Sequence, residues 1–222
     1  MEIKQLFQEI ASNSGVSGYE DNIAAQIQLA CPWVDELRRD TLGNLIMLKR
    51  GQAQPGQKIP RIMLAAHMDE IGLIITKIEK EGFLRFSTIG GFDQRVLLGQ
   101  EVTVHGSTTL RGVIGAKPPH VQRPGEQKQA VKLEDLFIDV GFDSDGAVKD
   151  KVAVGDLVTI NQTALALQGS FLAGKAFDDR AGVAAVLECF KALDGLNYSA
   201  EVYGVATVQE EVGLRGAITS TY

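Results

Sequence analysis

Apolar positions near the start of the chain recur with helical spacing. Ile3, Leu6, Phe7 and Ile10 follow i, i+3, i+4, i+7 and predict a helix with one buried face. Ser17 and Glu20 stand three residues apart, the spacing of a capping box, ahead of a second apolar face at Ile23 and Ile27. Pro32 should close that helix or sit just past it. Strands are predicted around 34–39 and 44–49, with Leu42-Gly43-Asn44 as turn chemistry, and Gly51 to Pro60 reads as a polar loop. Ile62-Met63-Leu64-Ala65-Ala66 is a continuous apolar run, the pattern of a strand buried on both faces.

From about Glu70 the pattern changes. Short apolar runs at 73–78, 83–89, 102–104, 113–114, 137–140 and 157–160 are separated by turn signals such as Glu81-Gly82, Gly90-Gly91 and Gly155-Asp156. Regular short strands without a long helix predict a small β-barrel or sandwich. Lys117 to Lys132, rich in proline and glutamine, reads as a mobile or partner-ordered loop. Helical periodicity returns over Asp178 to Leu193, with Val183, Val186, Leu187 and Phe190 on one face, and Glu201 to Thr207 reads as another buried strand. The simplest organisation is a discontinuous α/β domain, residues 1–69 and 162–222, interrupted by a β insert at 70–161.

Composition narrows the partners. With 22 Lys and Arg against 28 Asp and Glu, the net charge is −6 and no basic stripe interrupts it. Nucleic acid and anionic membrane, which need clustered positive charge, are therefore not expected partners. No apolar stretch reaches membrane-spanning length, and the N-terminus lacks the unbroken apolar core of a signal peptide. Cys31 and Cys189 lie far apart and read as reduced thiols, which makes the cytoplasm the expected location.

Candidate chemistry lies at three strand or helix ends. His67 and Asp69 follow the buried strand, where ligands collect in open α/β sheets. An imidazole there suits zinc or cobalt, and Asp69 could orient it; a plain polar strand end is the alternative. Asp178 and Asp179 open an apolar helix, as caps that complement its dipole or as metal ligands. Glu210 and Glu211 end the next buried strand, as a solvated acidic turn or as a site pair. Strand alternation would point those two side chains to opposite faces, one toward metal and one toward substrate as a base. Jointly, one histidine and several carboxylates form a donor set for Zn²⁺, Co²⁺ or Mn²⁺ and for metal-assisted hydrolysis.

These segments resemble the glutamyl aminopeptidase, or tetrahedral aminopeptidase, family of di-metal peptidases. The resemblance rests on Leu64 to Gly72, Gly174 to Gly182 and Thr207 to Gly213. Ser14 to Glu20, Asp40 to Leu45, Gly90 to Asp93 and Gly112 to His120 support it in the same order. It implies a three-layer αβα catalytic domain with an inserted β-barrel dimerisation domain. It also implies two divalent metal ions, short peptide substrates trimmed at their N-termini, and a homo-oligomer, a dodecamer in the family. By resemblance His67, Asp178 and Glu211 are metal ligands, Asp178 bridging both ions. Asp69 supports His67, Glu210 is the general base, and the Asp178–Asp179 peptide is cis.

Family members continue past Tyr222 into a part that supplies a further aspartate and a final histidine ligand. The resemblance therefore implies a C-terminally truncated chain whose site is incomplete. An inactive fragment or assembly subunit without catalysis is the alternative. A glycoside hydrolase needs two carboxylates facing each other about 5–10 Å apart, and it would leave His67 and Asp178 unexplained. His105 and His120 read as surface or turn histidines, His120 with the option of approaching a neighbouring subunit.

Overall fold

We describe the chain from a computed structural model, over residues 2–52, 56, 58–118 and 131–221. Most of the expected loop at 117–132, His120 included, and part of 51–60 lie outside these residues. The chain divides into two units, residues 1–70 with 163–222 and residues 71–162.

The first unit is built on a mixed four-stranded sheet. In chain order its elements begin with helices α1 (Ile3–Ser12) and α2 (Asp21–Leu29) and strands β1 (Glu36–Arg39), β2 (Leu45–Arg50) and β3 (Arg61–His67). Helix α1 presents Leu6 and Ile10 to the core, while Ile3, the first residue of the expected stripe, is 46% exposed. Strand β12 (Glu201–Thr207) lies between β2 and β3, antiparallel to the first and parallel to the second. Helix α4 (Phe177–Leu193) packs Val183, Val186, Leu187 and Phe190 into the same core as Leu45, Met47, Ala66 and Val202. Gly204 permits that approach, because a Cβ there would lie 2.7 Å from a ring carbon of Phe190. Phe7 of α1 meets Phe177 at the start of α4, with ring centroids 4.6 Å apart.

One expectation at the α1–α2 connection is corrected. Ser17 and Glu20 do not form a capping box, since α2 starts at Asp21 and Glu20 makes no side-chain cap to it. Ser17 Oγ instead donates to Asp69 Oδ2 at 2.6 Å, and Glu20 Oε1 accepts the N–H of Gln209 at 3.1 Å. A buried carboxylate and remote backbone donors compete for these side chains and win over the local cap.

The second unit is a closed six-stranded antiparallel barrel, which decides between barrel and sandwich. Its strands are β4 (Gly72–Ile78), β5 (Leu84–Ile89), β6 (Glu101–His105), β7 (Thr109–Ala116), β8 (Leu136–Asp139) and β9 (Leu157–Ile160), in spatial order β4-β5-β8-β7-β6-β9. Alternate residues fill the interior: Leu73 and Ile75, Leu84 and Phe86, Val102 and Val104, and Leu136 and Ile138 are buried together. A single turn of helix α3 (Asp145–Lys149) stands where Asp145-Gly146 reads only as a turn signal. His105 of β6 pairs its Nε2 with Thr159 Oγ1 at 2.9 Å, a barrel contact.

Two further elements of the first unit carried no sequence expectation. They are a hairpin of β10 (Leu165–Ala166) with β11 (Leu172–Ala173), and the short C-terminal helix α5 (Arg215–Ser220). Among the described residues, no helix is long and apolar enough to cross a membrane.

Candidate metal centre

Parallel pairing of β3 and β12 aligns Thr207 with His67, so both strands end at one sheet edge. Met68 N–H donates to Thr207 O at 2.9 Å and carries the alignment one residue further. The polar residues that follow each strand are thereby delivered to the same place.

His67 is buried, with its side chain 8% exposed. Its Nδ1 lies 3.1 Å from the Asp69 carbonyl oxygen and 3.5 Å from Asp69 Oδ1. Its Nε2 lies 3.1 Å from Asp178 Oδ1 and 3.7 Å from Glu210 Oε2. Burial alone would depress the imidazole pKa. The hydrogen bond and charge of Asp69, with Asp178 and Glu210 beyond, outweigh burial and push it up to about 9.

Asp69 has no exposed surface, and its carboxylate is saturated with donors. Oδ1 accepts the N–H of Glu210 at 3.0 Å, and Oδ2 accepts the N–H of Glu211 at 3.2 Å together with the Ser17 hydroxyl. Burial would raise its pKa, but His67, Ser17 and the two backbone donors hold it below the ordinary carboxylate value. One side chain thus orients the His67 ring and fixes the turn that carries both glutamates.

That turn corrects the opposite-face expectation for Glu210 and Glu211. Strand β12 ends at Thr207, and Gln209 takes a left-handed φ of 55°, so strand alternation stops before the glutamates. His67, Glu210 and Glu211 each offer a ligand atom, all within 4.8 Å of one another. Burial raises the Glu211 pKa; His67 opposes this, while the charges of Asp69, Glu210 and Asp178 add to it.

The two aspartates of α4 divide the roles that their sequence position left open. Asp179 Oδ1 accepts the N–H of Gly182 at 2.9 Å and caps the regular helix. Asp178, 91% exposed, turns toward His67. Backbone angles at both are non-helical, and the peptide between them is cis.

Sequence reasoning missed the residues that hold these pieces. Asn44, fully buried, accepts the Val208 N–H at 3.0 Å and donates to Gly216 O at 2.9 Å. Arg180, also fully buried, donates to Met68 O at 3.0 Å, Ile10 O at 2.6 Å and Asn13 O. Glu70 accepts from Lys175 Nζ at 2.8 Å and from the Gly15 N–H at 3.0 Å. Burial lowers the Lys175 pKa, with Glu70 opposing it. A polar pair such as Asp40 with Asn44, whose amide donates to Asp40 Oδ2 at 2.7 Å, or an arginine two residues past Asp178, carries no periodic signature that separates it from an ordinary exposed polar residue.

The donor set fits divalent cations. One imidazole and three carboxylates converge where negative charge is crowded enough to hold a proton on His67, and burial first, with that charge added, raises Glu211. A bound cation would relieve that crowding.

The model of the M42 glutamyl aminopeptidase family matches residues 43–222. A putative aminopeptidase from Acetivibrio thermocellus is 40% identical over 209 residues, which is 94% of this chain and 58% of that protein. Among solved structures, the aminopeptidase APDkam598 from the archaeon Desulfurococcus kamchatkensis superposes with a TM-score of 0.89 at 41% identity, covering 99% of this chain and 59% of its own. The Pyrococcus horikoshii TET1 peptidase, which can assemble into a tetrahedron or a large octahedral shell, superposes with a TM-score of 0.87 at 36% identity, covering 99% and 64%. The chain thus spans about three-fifths of the length of these relatives. With the family's model matched from Gly43 to the last residue, the chain belongs to the M42 glutamyl aminopeptidase family.

Proposed function

We propose that this chain carries part of the catalytic centre of a metal-dependent aminopeptidase that removes N-terminal residues from short peptides. The observation that carries the reading is the convergence of His67, Glu210 and Glu211, ligand atoms within 4.8 Å, where β3 and β12 end together. In this reading His67, Asp178 and Glu211 hold two divalent cations, zinc or cobalt with manganese as the third option. Such cations, when bound, acidify a water and polarise the scissile carbonyl. Asp69 fixes the tautomer and tilt of His67 through Nδ1 and leaves Nε2 facing the carboxylates. Asp178, exposed and 3.1 Å from that Nε2, is free to serve both cations. Glu210, about one-third exposed, takes the proton of the attacking water and returns it to the departing amine. The four-stranded sheet is in this reading part of a three-layer αβα catalytic domain.

The reading extends to assembly and location. The barrel, residues 71–162, mediates self-association into a homo-oligomer, a dodecamer by likeness to the PhTET1-12s structure. Two free cysteines, Cys31 and Cys189, suit a reducing cytoplasm.

The test is a Co²⁺ titration of the purified chain followed by visible absorption, with His67→Ala beside it. Saturable binding that disappears in the variant is the expected result. Binding that survives His67→Ala, or none at all, overturns the metal assignment. Light scattering checks the assembly, and a monomer at micromolar concentration counts against it.

A further inference from the structure

The connection between α1 and α2, residues 13–20, touches both turns that carry the candidate centre. Gly15 N–H donates to Glu70 Oε1 at 3.0 Å, and Glu70 N–H returns a bond to Gly15 O at 2.9 Å. Ser17 N–H donates to Glu70 O at 3.3 Å, while its hydroxyl donates to Asp69 Oδ2 at 2.6 Å. Glu20 then reaches the other turn: its Oε1 accepts the N–H of Gly18 at 2.8 Å and that of Gln209 at 3.1 Å. Both side chains are buried, Ser17 at 7% and Glu20 at 6% exposure.

The bond to Gln209 falls on an unusual residue. Gln209 is a non-glycine in the left-handed region, φ 55°, a conformation that side chains with a Cβ adopt only when something compensates. A buried carboxylate on its N–H is such a compensation, because a bond to a charged acceptor is stronger than one to a neutral acceptor. The left-handed step at Gln209 is what ends strand alternation and brings Glu210 and Glu211 to the same side as His67. The Ser17 bond acts one link away, by holding the Asp69 oxygen that also receives the Glu211 N–H.

We propose that Ser17 and Glu20 are positioning residues: Glu20 holds the left-handed turn at Gln209, and Ser17 holds Asp69, so that His67, Glu210 and Glu211 converge. This rests on the metal-site reading only for its second readout. The first readout is local and needs no metal.

The experiment measures amide hydrogen exchange at Gln209, Glu210 and Glu211 by NMR in the full 222-residue chain, and Co²⁺ affinity in the same samples. Glu20→Ala is expected to speed exchange at Gln209 about 10-fold or more, the scale of a lost bond to a charged group. It should also weaken Co²⁺ binding about 10-fold or more, as loss of an outer support does. Glu20→Gln keeps an acceptor oxygen and should restore both. Ser17→Ala should speed exchange at Glu211 and weaken Co²⁺, and Ser17→Thr should restore them.

A folded Glu20→Ala chain with unchanged exchange and unchanged Co²⁺ binding overturns the proposal and leaves the metal reading intact. Faster exchange in a chain that binds no Co²⁺ even as wild type supports the positioning role and sinks the metal reading. If Glu20→Ala does not fold, the Ser17 pair decides, and unchanged exchange in Ser17→Ala overturns the proposal.

Discussion

Arg180 Nε donates to the backbone carbonyl of Met68 at 3.0 Å, tying the first turn of the site helix to the residue between His67 and Asp69. The same guanidinium reaches Ile10 O and Asn13 O, and its Nη2 stands 3.5 Å from Glu70 Oε1. Its side chain has no exposed surface. Arg180→Ala would leave three carbonyls without this donor and Glu70 with Lys175 as its remaining cation. The expected cost is about 3–5 kcal/mol in denaturant unfolding, the scale of a buried ion pair broken on one side. Arg180→Lys should recover little of it, since an ammonium cannot present the planar fork that spans these carbonyls.

Glu210→Gln separates proton transfer from metal binding. The amide keeps the side-chain volume and an oxygen, but it cannot accept a proton at neutral pH. In a version of the protein extended to its relatives' length, peptide turnover should fall about 10²-fold or more while bound metal stays within error of wild type. Turnover of a leucine- or glutamate-linked chromogenic substrate, with metal content measured on the same sample, checks both halves. Retained turnover would remove Glu210 from the role.

Without metal, the imidazole of His67 should make stability depend on alkaline pH. Its folded pKa of about 9 stands above the unfolded value of 6.5. A raised pKa means the folded state binds the proton more tightly. The contribution is therefore complete below about pH 6.5 and is lost as pH rises through about 9. Between pH 7 and 9.5 the metal-free chain should lose about 2 kcal/mol that His67→Gln does not lose. The difference between the two pH profiles of urea unfolding is the measurement, because other groups titrating in that window cancel.

Gly204 is a packing position, and Gly204→Ala tests it. The added methyl would meet Phe190 at 2.7 Å and Val186 at 2.8 Å, with helix α4 on one side and β12 on the other. An overpacked core of this kind costs about 1–3 kcal/mol. Phe190→Ala, which opens a cavity in the same layer, should cost about 3–5 kcal/mol. The two together should be non-additive, because the smaller residue at 190 makes room for the methyl. Strict additivity in thermal or urea unfolding would show that the glycine is not there for the helix.

By itself the 222-residue chain should bind Co²⁺ weakly and turn over little peptide. In the proposed reading His67, Asp178 and Glu211 would give each of two cations about two protein ligands, where a catalytic zinc usually has three and a water. Isothermal titration beside a chromogenic assay checks this. Two tightly held ions with brisk turnover would show that the chain, or its oligomer, completes the site by another route.

The positions of His67 and Asp69 were legible because an unbroken apolar run ends at them, but the burial that run predicts is not met: on β3, the outer strand of the four, Ile62 is 48% and Met63 37% exposed. Glu201–Thr207 was read at its observed bounds. Barrel strands were legible from turn signals, although β7 was under-read because Gly112 and Gly115 interrupt its apolar pattern. What escaped the sequence was long-range hydrogen bonding. Glu210 and Glu211 point together because Gln209 turns left-handed against a carboxylate 189 residues away. Ser17 and Glu20 have a cap's spacing and serve that remote turn instead. Asp178 and Asp179 were indistinguishable by position alone; the resemblance singled out Asp178, and the fold turns Asp178 toward His67 while Asp179 caps the helix.

Strand order also sets a timetable. β2 and β3 follow one another in the chain but are not bonded to each other; β12 lies between them. A ribosome releasing this chain delivers β2, β3 and the whole barrel before the strand that joins the sheet exists. Asp69 waits for its partner Glu210 across 141 residues of synthesis. The carboxylates that crowd around His67 cannot gather before β12 exists, so the cluster is withheld until that strand has slotted between β2 and β3.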